Sequence, residues 1–127
     1  MLRAMAKQED FDGAFDGLRR MLRANAKMLR VKTDTPDDFT LETETPLRKG
    51  ERISVAAVKK NKNYVSFHFI PIYIYPDLVR KISPELKKRM QGKGCFNFNA
   101  PDRVLLEELA ELVRAGIDAY KRRGLPT

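Results

Sequence analysis

Apolar residues repeat with a helical period at both ends of this 127-residue chain and with a period of two in its middle, an order that admits few folds. Near the front, Phe11, Phe15, Leu18, Met21, Leu22, Met28 and Leu29 return at three- and four-residue steps, with Arg19, Arg20, Arg23, Lys27 and Arg30 on the other side. This predicts an amphipathic helix with the methionines in its core face. Gly13 and Gly17 weaken its start, since each costs about 1 kcal/mol against alanine. Near the back, Pro101 opens a longer helix whose Val104, Leu105, Leu109, Leu112, Val113, Ile117 and Tyr120 form one apolar stripe, ended by Gly124.

Between them the pattern is that of strands. Thr33 to Asp38, with Pro36, reads as a turn, after which Phe39, Leu41, Thr43 and Thr45 alternate with Thr40, Glu42 and Glu44 as a half-exposed strand. Arg52 to Lys59 is rich in β-branched residues, and from Tyr64 to Ile70 the residues Val65, Phe67 and Phe69 alternate with Tyr64, Ser66 and His68. Lys60-Asn61-Lys62-Asn63 separates the two runs, which predicts a hairpin with lysines at its tip. Ile72 to Tyr75 reads as a bent continuation past Pro71, and Leu78, Val79 and Ile82 as a short helix. Ser83 before Pro84 is an N-cap signal for a helix from Pro84 to Met90; Cys95 to Phe98 is a brief strand. Consecutive strands on short turns pair antiparallel, and the long helices need an apolar surface to cover. The expected fold is therefore α+β, an antiparallel sheet of about four strands with two long amphipathic helices and short helices packed on one face.

At this length one domain is expected across residues 1 to 127, with the ends as the places for disorder. No apolar run approaches the ~20 residues of a spanning helix, and the N-terminus lacks the apolar segment of a signal peptide, so no membrane partner and a cytoplasmic location are expected. The single Cys95 rules out an internal disulfide and any multi-cysteine metal site.

Thr45-Pro46-Leu47, the stretch ending in Tyr73-Ile74-Tyr75-Pro76, Gly92-Lys93-Gly94-Cys95-Phe96-Asn97-Phe98 and the proline-opened last helix together resemble the YdhG-like domains, a widespread bacterial family of unknown function. The resemblance covers about 80 residues from Thr45 onward. It implies a small α+β fold of the order above and no agreed activity. Some members of the wider group are described as frataxin-like iron chaperones, and the resemblance carries no catalytic or ligand residues over to this chain.

Charge is unevenly spread. Residues 48 to 93 hold twelve Lys or Arg against three acids, and the rest of the chain is close to balance, so the formal net charge of +8 comes from the middle. Such concentration raises affinity for anions, with phosphorylated metabolites, acidic proteins and nucleic acid all eligible. Lys59, Lys60 and Lys62 at the hairpin tip, joined by Lys93, are the expected ligand-binding patch, with Tyr73 and Tyr75 on one face of an extended segment as pocket or stacking residues. Nucleic acid is the less favoured partner, because no recognition motif for it is present. The alternative is iron held by the carboxylates Asp34, Asp37, Asp38, Glu42 and Glu44, oxygen ligands suited to a hard cation. Solitary His68 and Cys95 read as structural, although a thiolate beside Lys93 would be nucleophilic. No paired catalytic constellation is readable and no cofactor is implied; a binding module for an anionic small molecule or acidic partner is the expected function.

Overall fold

A computed structural model of the chain describes residues 9–44, 46, 50–92 and 94–122. Helix α1 (Phe11–Asn25) leads into strands β1 (Arg30–Thr35), β2 (Asp38–Glu42), β3 (Ser54–Lys60) and β4 (Val65–Phe69). Three single-turn helices follow, α2 (Pro71–Ile74), α3 (Asp77–Arg80) and α4 (Pro84–Lys87), then β5 (Cys95–Phe98) and α5 (Arg103–Arg122). The sheet is an antiparallel meander of five strands in sequence order. Both long helices cover the same face, on which Phe39, Phe67, Phe69 and Phe96 are fully buried against Leu18, Leu22, Leu109 and Val113. No helix among the described residues is long and apolar enough to cross a membrane.

The α+β class and the one-sided packing are as the periodicity predicts, and four local readings are corrected, the fourth being the end of α4 described below. First, α1 ends at Asn25, so Leu29 and Arg30 are not helical and β1 is the extra strand. Asn25 donates from its amide to the Met21 carbonyl at 2.7 Å, meeting a last-turn acceptor as the helix ends. Met28, now outside the helix, is 36% exposed rather than core. The turn shrinks to Pro36 and Asp37 between paired Thr35 and Asp38. Second, Ile72 to Tyr75 does not extend β4. Pro71 sits at the first position of α2, where its missing N–H costs nothing, and Tyr75 donates its N–H to the Pro71 carbonyl at 2.8 Å. Third, Val104 leaves the apolar stripe and is 72% exposed, since it stands one helical step of about 100° from Leu105. Gly124 lies outside the described residues.

Helix starts follow the cap chemistry. Asp10 Oδ1 accepts from the Gly13 N–H at 2.9 Å, and Asp102 Oδ1 from the Leu105 N–H at 3.1 Å. Ser83 caps α4 by accepting from the Leu86 N–H at 3.1 Å; its own N–H and hydroxyl both donate to Glu108 of α5, fixing that turn to the long helix. The helix closes at Lys87, short of the predicted Met90, which instead bridges Phe96. Residues 89 and 91 bond to Asn97 and Cys95, covering the outer edge of β5.

Two glycines set how closely α5 approaches its neighbours. Gly17 of α1 faces Leu106, and a Cβ on Gly116 would stand 2.5 Å from the Phe69 ring and 3.1 Å from Pro71 Cβ. Alanine gains about 1 kcal/mol over glycine in a helix, whereas overpacking a full core costs about 1–3 kcal/mol. Gly116→Ala is therefore expected to destabilise by roughly 1 kcal/mol against its propensity, and Leu109→Ala by about 2–5 kcal/mol. Urea denaturation reads both. A more stable Gly116→Ala protein would mean that the Phe69 ring yields freely, contrary to the packing described.

Candidate functional site

Because the helices take one face of the sheet, alternate residues of every strand point to the other. The pairing aligns them in rows: Thr33, Thr40, Ala57, His68 and Cys95 in one, Thr35, Asp38, Lys59, Ser66 and Asn97 in the next. The ladder is interrupted twice near one end. Between Val31 and Thr33 the register slips so that Lys32 is an extra residue on β1, and between Leu41 and Glu42 it slips again, leaving Val55 extra on β3. Bulges bend and over-twist a strand, and these two stand on either side of β2. Beside them lies a hollow of about 270 Å³ over Ala57, with Lys32, Lys59, Asp38, His68 and Ile70 around it. Thr33, Thr40 and Ser54 add their hydroxyls.

The charges within it are loosely tied. Lys59 Nζ stands 3.9 Å from Asp38 Oδ2, too long for a committed hydrogen bond, while the Thr40 hydroxyl donates to Asp38 Oδ1 at 2.6 Å. Lys32 makes no ion pair among the described residues. Burial holds the His68 imidazole below its usual pKa, and the Lys59 ammonium lowers it further.

His68 and Cys95 face each other across β4 and β5. The Phe69 N–H donates to the Gly94 carbonyl, which makes His68–Cys95 a non-hydrogen-bonded pair, the register in which side chains come closest. Their proximity does not activate the thiol. Burial raises the Cys95 pKa, and Cys95 Sγ donates to Asn97 Oδ1 at 3.6 Å.

Of the lysines expected at the hairpin tip, only Lys59 joins this hollow. Lys60, the next residue along, necessarily points to the helix side, where it reaches Asp12 at 2.6 Å and Asp37 at 3.8 Å. Lys62 is exposed at the turn, and Lys93 lies outside the described residues. Tyr73 and Tyr75 are separated by the helical turn of α2. Tyr73 is half exposed over Gly94, while Tyr75 packs edge-on against Tyr120 with centroids 6.2 Å apart.

The five acids are likewise dispersed. Asp34 accepts from Arg19 at 3.2 Å, which holds its carboxyl below the usual range, and Arg23 adds to this. Asp37 turns to Lys60, Asp38 to the hollow, and Glu42 to Arg30 at 3.3 Å; Glu44 is exposed. Among the described residues no group of three or more His, Cys, Asp or Glu is placed to hold a metal ion.

A larger groove of about 460 Å³ runs between α3 and α5 over Leu78, Ile82, Leu112 and Ala115. Part of its polar rim is engaged by the fold itself, Glu108 by Ser83, Asp77 by Arg80 at 3.3 Å, and Arg122 by Asp118 at 3.2 Å, while Lys81 and Glu111 also line it. The hollow on the sheet keeps donors unspent. Lys32, Thr33, Thr40 and Ser54 were not singled out in the sequence; the one signal for them is alanine at 56 and 57 inside a run otherwise β-branched or long. No family model, no curated protein and no solved structure matches the chain.

Followed by NMR, His68 should titrate below the ordinary histidine midpoint of about 6.5, and Lys59→Gln should raise the midpoint. The unfolded chain then takes the proton more readily than the folded one, so stability falls as pH drops from about 6.5 toward the folded midpoint. An unchanged midpoint in Lys59→Gln would separate the two residues.

Proposed function

We propose that the domain is a binding module for a small anion, seated in the hollow on the open face of the sheet. The observation that carries this reading is the β1 slip, which directs Lys32 toward the same hollow as Lys59 and His68. An ammonium ion is a strong point donor, and two of them at the wall of a concave surface focus potential more than two on a convex tip. Outside the two bulges the ladder consumes the backbone donors. Recognition therefore falls to side chains: Lys32 and Lys59 attract, Thr33 and Ser54 donate hydroxyl hydrogen bonds, and His68 closes the far wall. At this size the ligand is a metabolite-scale anion rather than a protein surface or a nucleic-acid strand, and no aromatic platform in the hollow serves to stack a base.

Inorganic phosphate titrated at low salt, by NMR or calorimetry, tests the reading. Binding should weaken steeply as salt rises, because the site is open to solvent and screening acts within about 8 Å at physiological ionic strength. Lys32→Gln and Lys59→Gln should each weaken it about tenfold, the loss of one charge-assisted hydrogen bond worth about 1.5 kcal/mol. Lys60→Gln and Lys62→Gln should leave it nearly unchanged. The opposite pattern would move the site to the hairpin tip, and no phosphate binding at all would end the proposal.

A further inference from the structure

The hollow contains a feature that a site for a bare anion would be better without: the carboxylate of Asp38. We infer, resting on the anion-binding reading above, that the ligand is a hydroxylated anion, a small polyol monophosphate of the sugar-phosphate kind. Asp38 has one oxygen on the Thr40 hydroxyl at 2.6 Å and the other 3.9 Å from Lys59 Nζ, so a strong acceptor remains on the second oxygen. Toward a phosphate that oxygen is repulsive; toward an alcohol it is a charge-assisted partner.

Thr40 reinforces the distinction. Its proton is committed to Asp38, so its oxygen offers lone pairs to whatever enters, and these accept from a hydroxyl but not from a phosphate oxygen. Acceptors and donors are thus both present in one hollow. The ammonium groups of Lys32 and Lys59 suit the phosphoryl oxygens, while Asp38, Thr40 and the neutral His68 ring suit the hydroxyls.

Shape narrows the class further. The hollow, at about 270 Å³, lies just below the ~300 Å³ at which pockets for drug-sized ligands begin. Ala57, in the open-face row between Thr40 and His68, gives it a low apolar floor against which the C–H face of a sugar can lie, and Ile70 adds to the apolar lining. Apart from the His68 imidazole no ring lines it, so a nucleobase finds nothing to stack on.

Four probes separate the possibilities by calorimetry on the full chain: inorganic phosphate, ribose 5-phosphate, ribose, and adenosine 5′-monophosphate. Ribose 5-phosphate should bind about tenfold tighter than phosphate. Ribose should bind far more weakly, and the adenine should add nothing. Asp38→Asn should act in opposite directions, tightening phosphate severalfold while removing most of the advantage of ribose 5-phosphate; a merely structural effect would move both the same way. Thr40→Val, a second variant with less risk to the β1–β2 turn, should lower ribose 5-phosphate affinity and spare phosphate. If phosphate binds and ribose 5-phosphate binds no tighter, or both variants shift the two alike, the polyol assignment fails and the anion site stands. Tighter binding of the nucleotide than of ribose 5-phosphate would overturn it in favour of a base pocket. Ribose binding as well as its phosphate, or none of the probes binding, would overturn both readings.

Discussion

One-sided burial of a phenylalanine layer governs the whole molecule. Phe39, Phe67, Phe69 and Phe96 are each fully enclosed, with Phe67 at the centre, 6.1 Å from the Phe69 ring and 6.3 Å from the Phe96 ring between centroids. Each contributes about 2–3 kcal/mol on leaving water, so leaving even one of them exposed would take a large part of a margin that is only about 5–15 kcal/mol in most domains. The rings come from β2, β4 and β5, so covering them fixes those strands as well as the helices above. Two helices suffice to cover one face, and the described residues supply no second set. The other face is consequently open, and every alternate residue along β2 to β5 is delivered to it.

That division explains which parts of the fold the sequence disclosed. Period-two alternation identified β4 and the core parity of β2, and period 3.6 identified the stripe of α5 from Leu105 onward. The same signal misled at residues 28 to 30. Ala26 and Leu29 are buried whether the chain there is helix or turn, so helical spacing continued past the real end at Asn25 and hid β1. Five-residue runs such as Ile70 to Ile74 are too short for periodicity to choose between strand and helix; Pro71 chose, by fitting the first turn of α2. The site was legible only in pieces. His68 and Lys59 were visible as residues, but their meeting depends on a cross-strand register, and Lys32 joins them only through a slip that no local pattern announces.

Charge follows the same geometry. A cluster of lysines in a line of sequence is not a cluster in space once the line becomes a strand, because Lys59 and Lys60 are sent to opposite faces. Lys60 goes to the helix side, where Asp12 and Asp37 raise its pKa and absorb its charge, with Asp12 the larger cause. Asp34, one residue beyond Thr33, is carried by the same alternation to Arg19 and Arg23, whose guanidinium groups also lie over the Phe39 ring at 5.3 and 5.7 Å. The dense acids thus go mostly to arginines, Asp34 to Arg19 and Arg23 and Glu42 to Arg30, while Lys60 goes to Asp12 and Asp37, and only the long approach of Lys59 to Asp38 is left on the open face. Local density of charge in a β-rich sequence measures the number of charged residues available, and parity decides how many remain to meet a ligand.

What remains is set by the bulges. In an unbroken ladder the open face would be a gently twisted plane, Lys32 would share the parity of Phe39's side of the sheet, and Ala57 would be one small residue in a flat row. The extra residue on β1 reverses that for Lys32, and the extra residue on β3 seats Val55 and Ala56 in the core while Ser54 stays on the open face. Each slip removes a ladder bond and costs the sheet some regularity without adding to the phenylalanine layer, which is already closed. Stability alone offers no reason for both slips to lie beside the same pair of alanines. A concave, polar surface with one lysine from each of two strands lies beside this pair of irregularities, and it is the surface on which the proposed anion binding depends and which a regular sheet would forfeit.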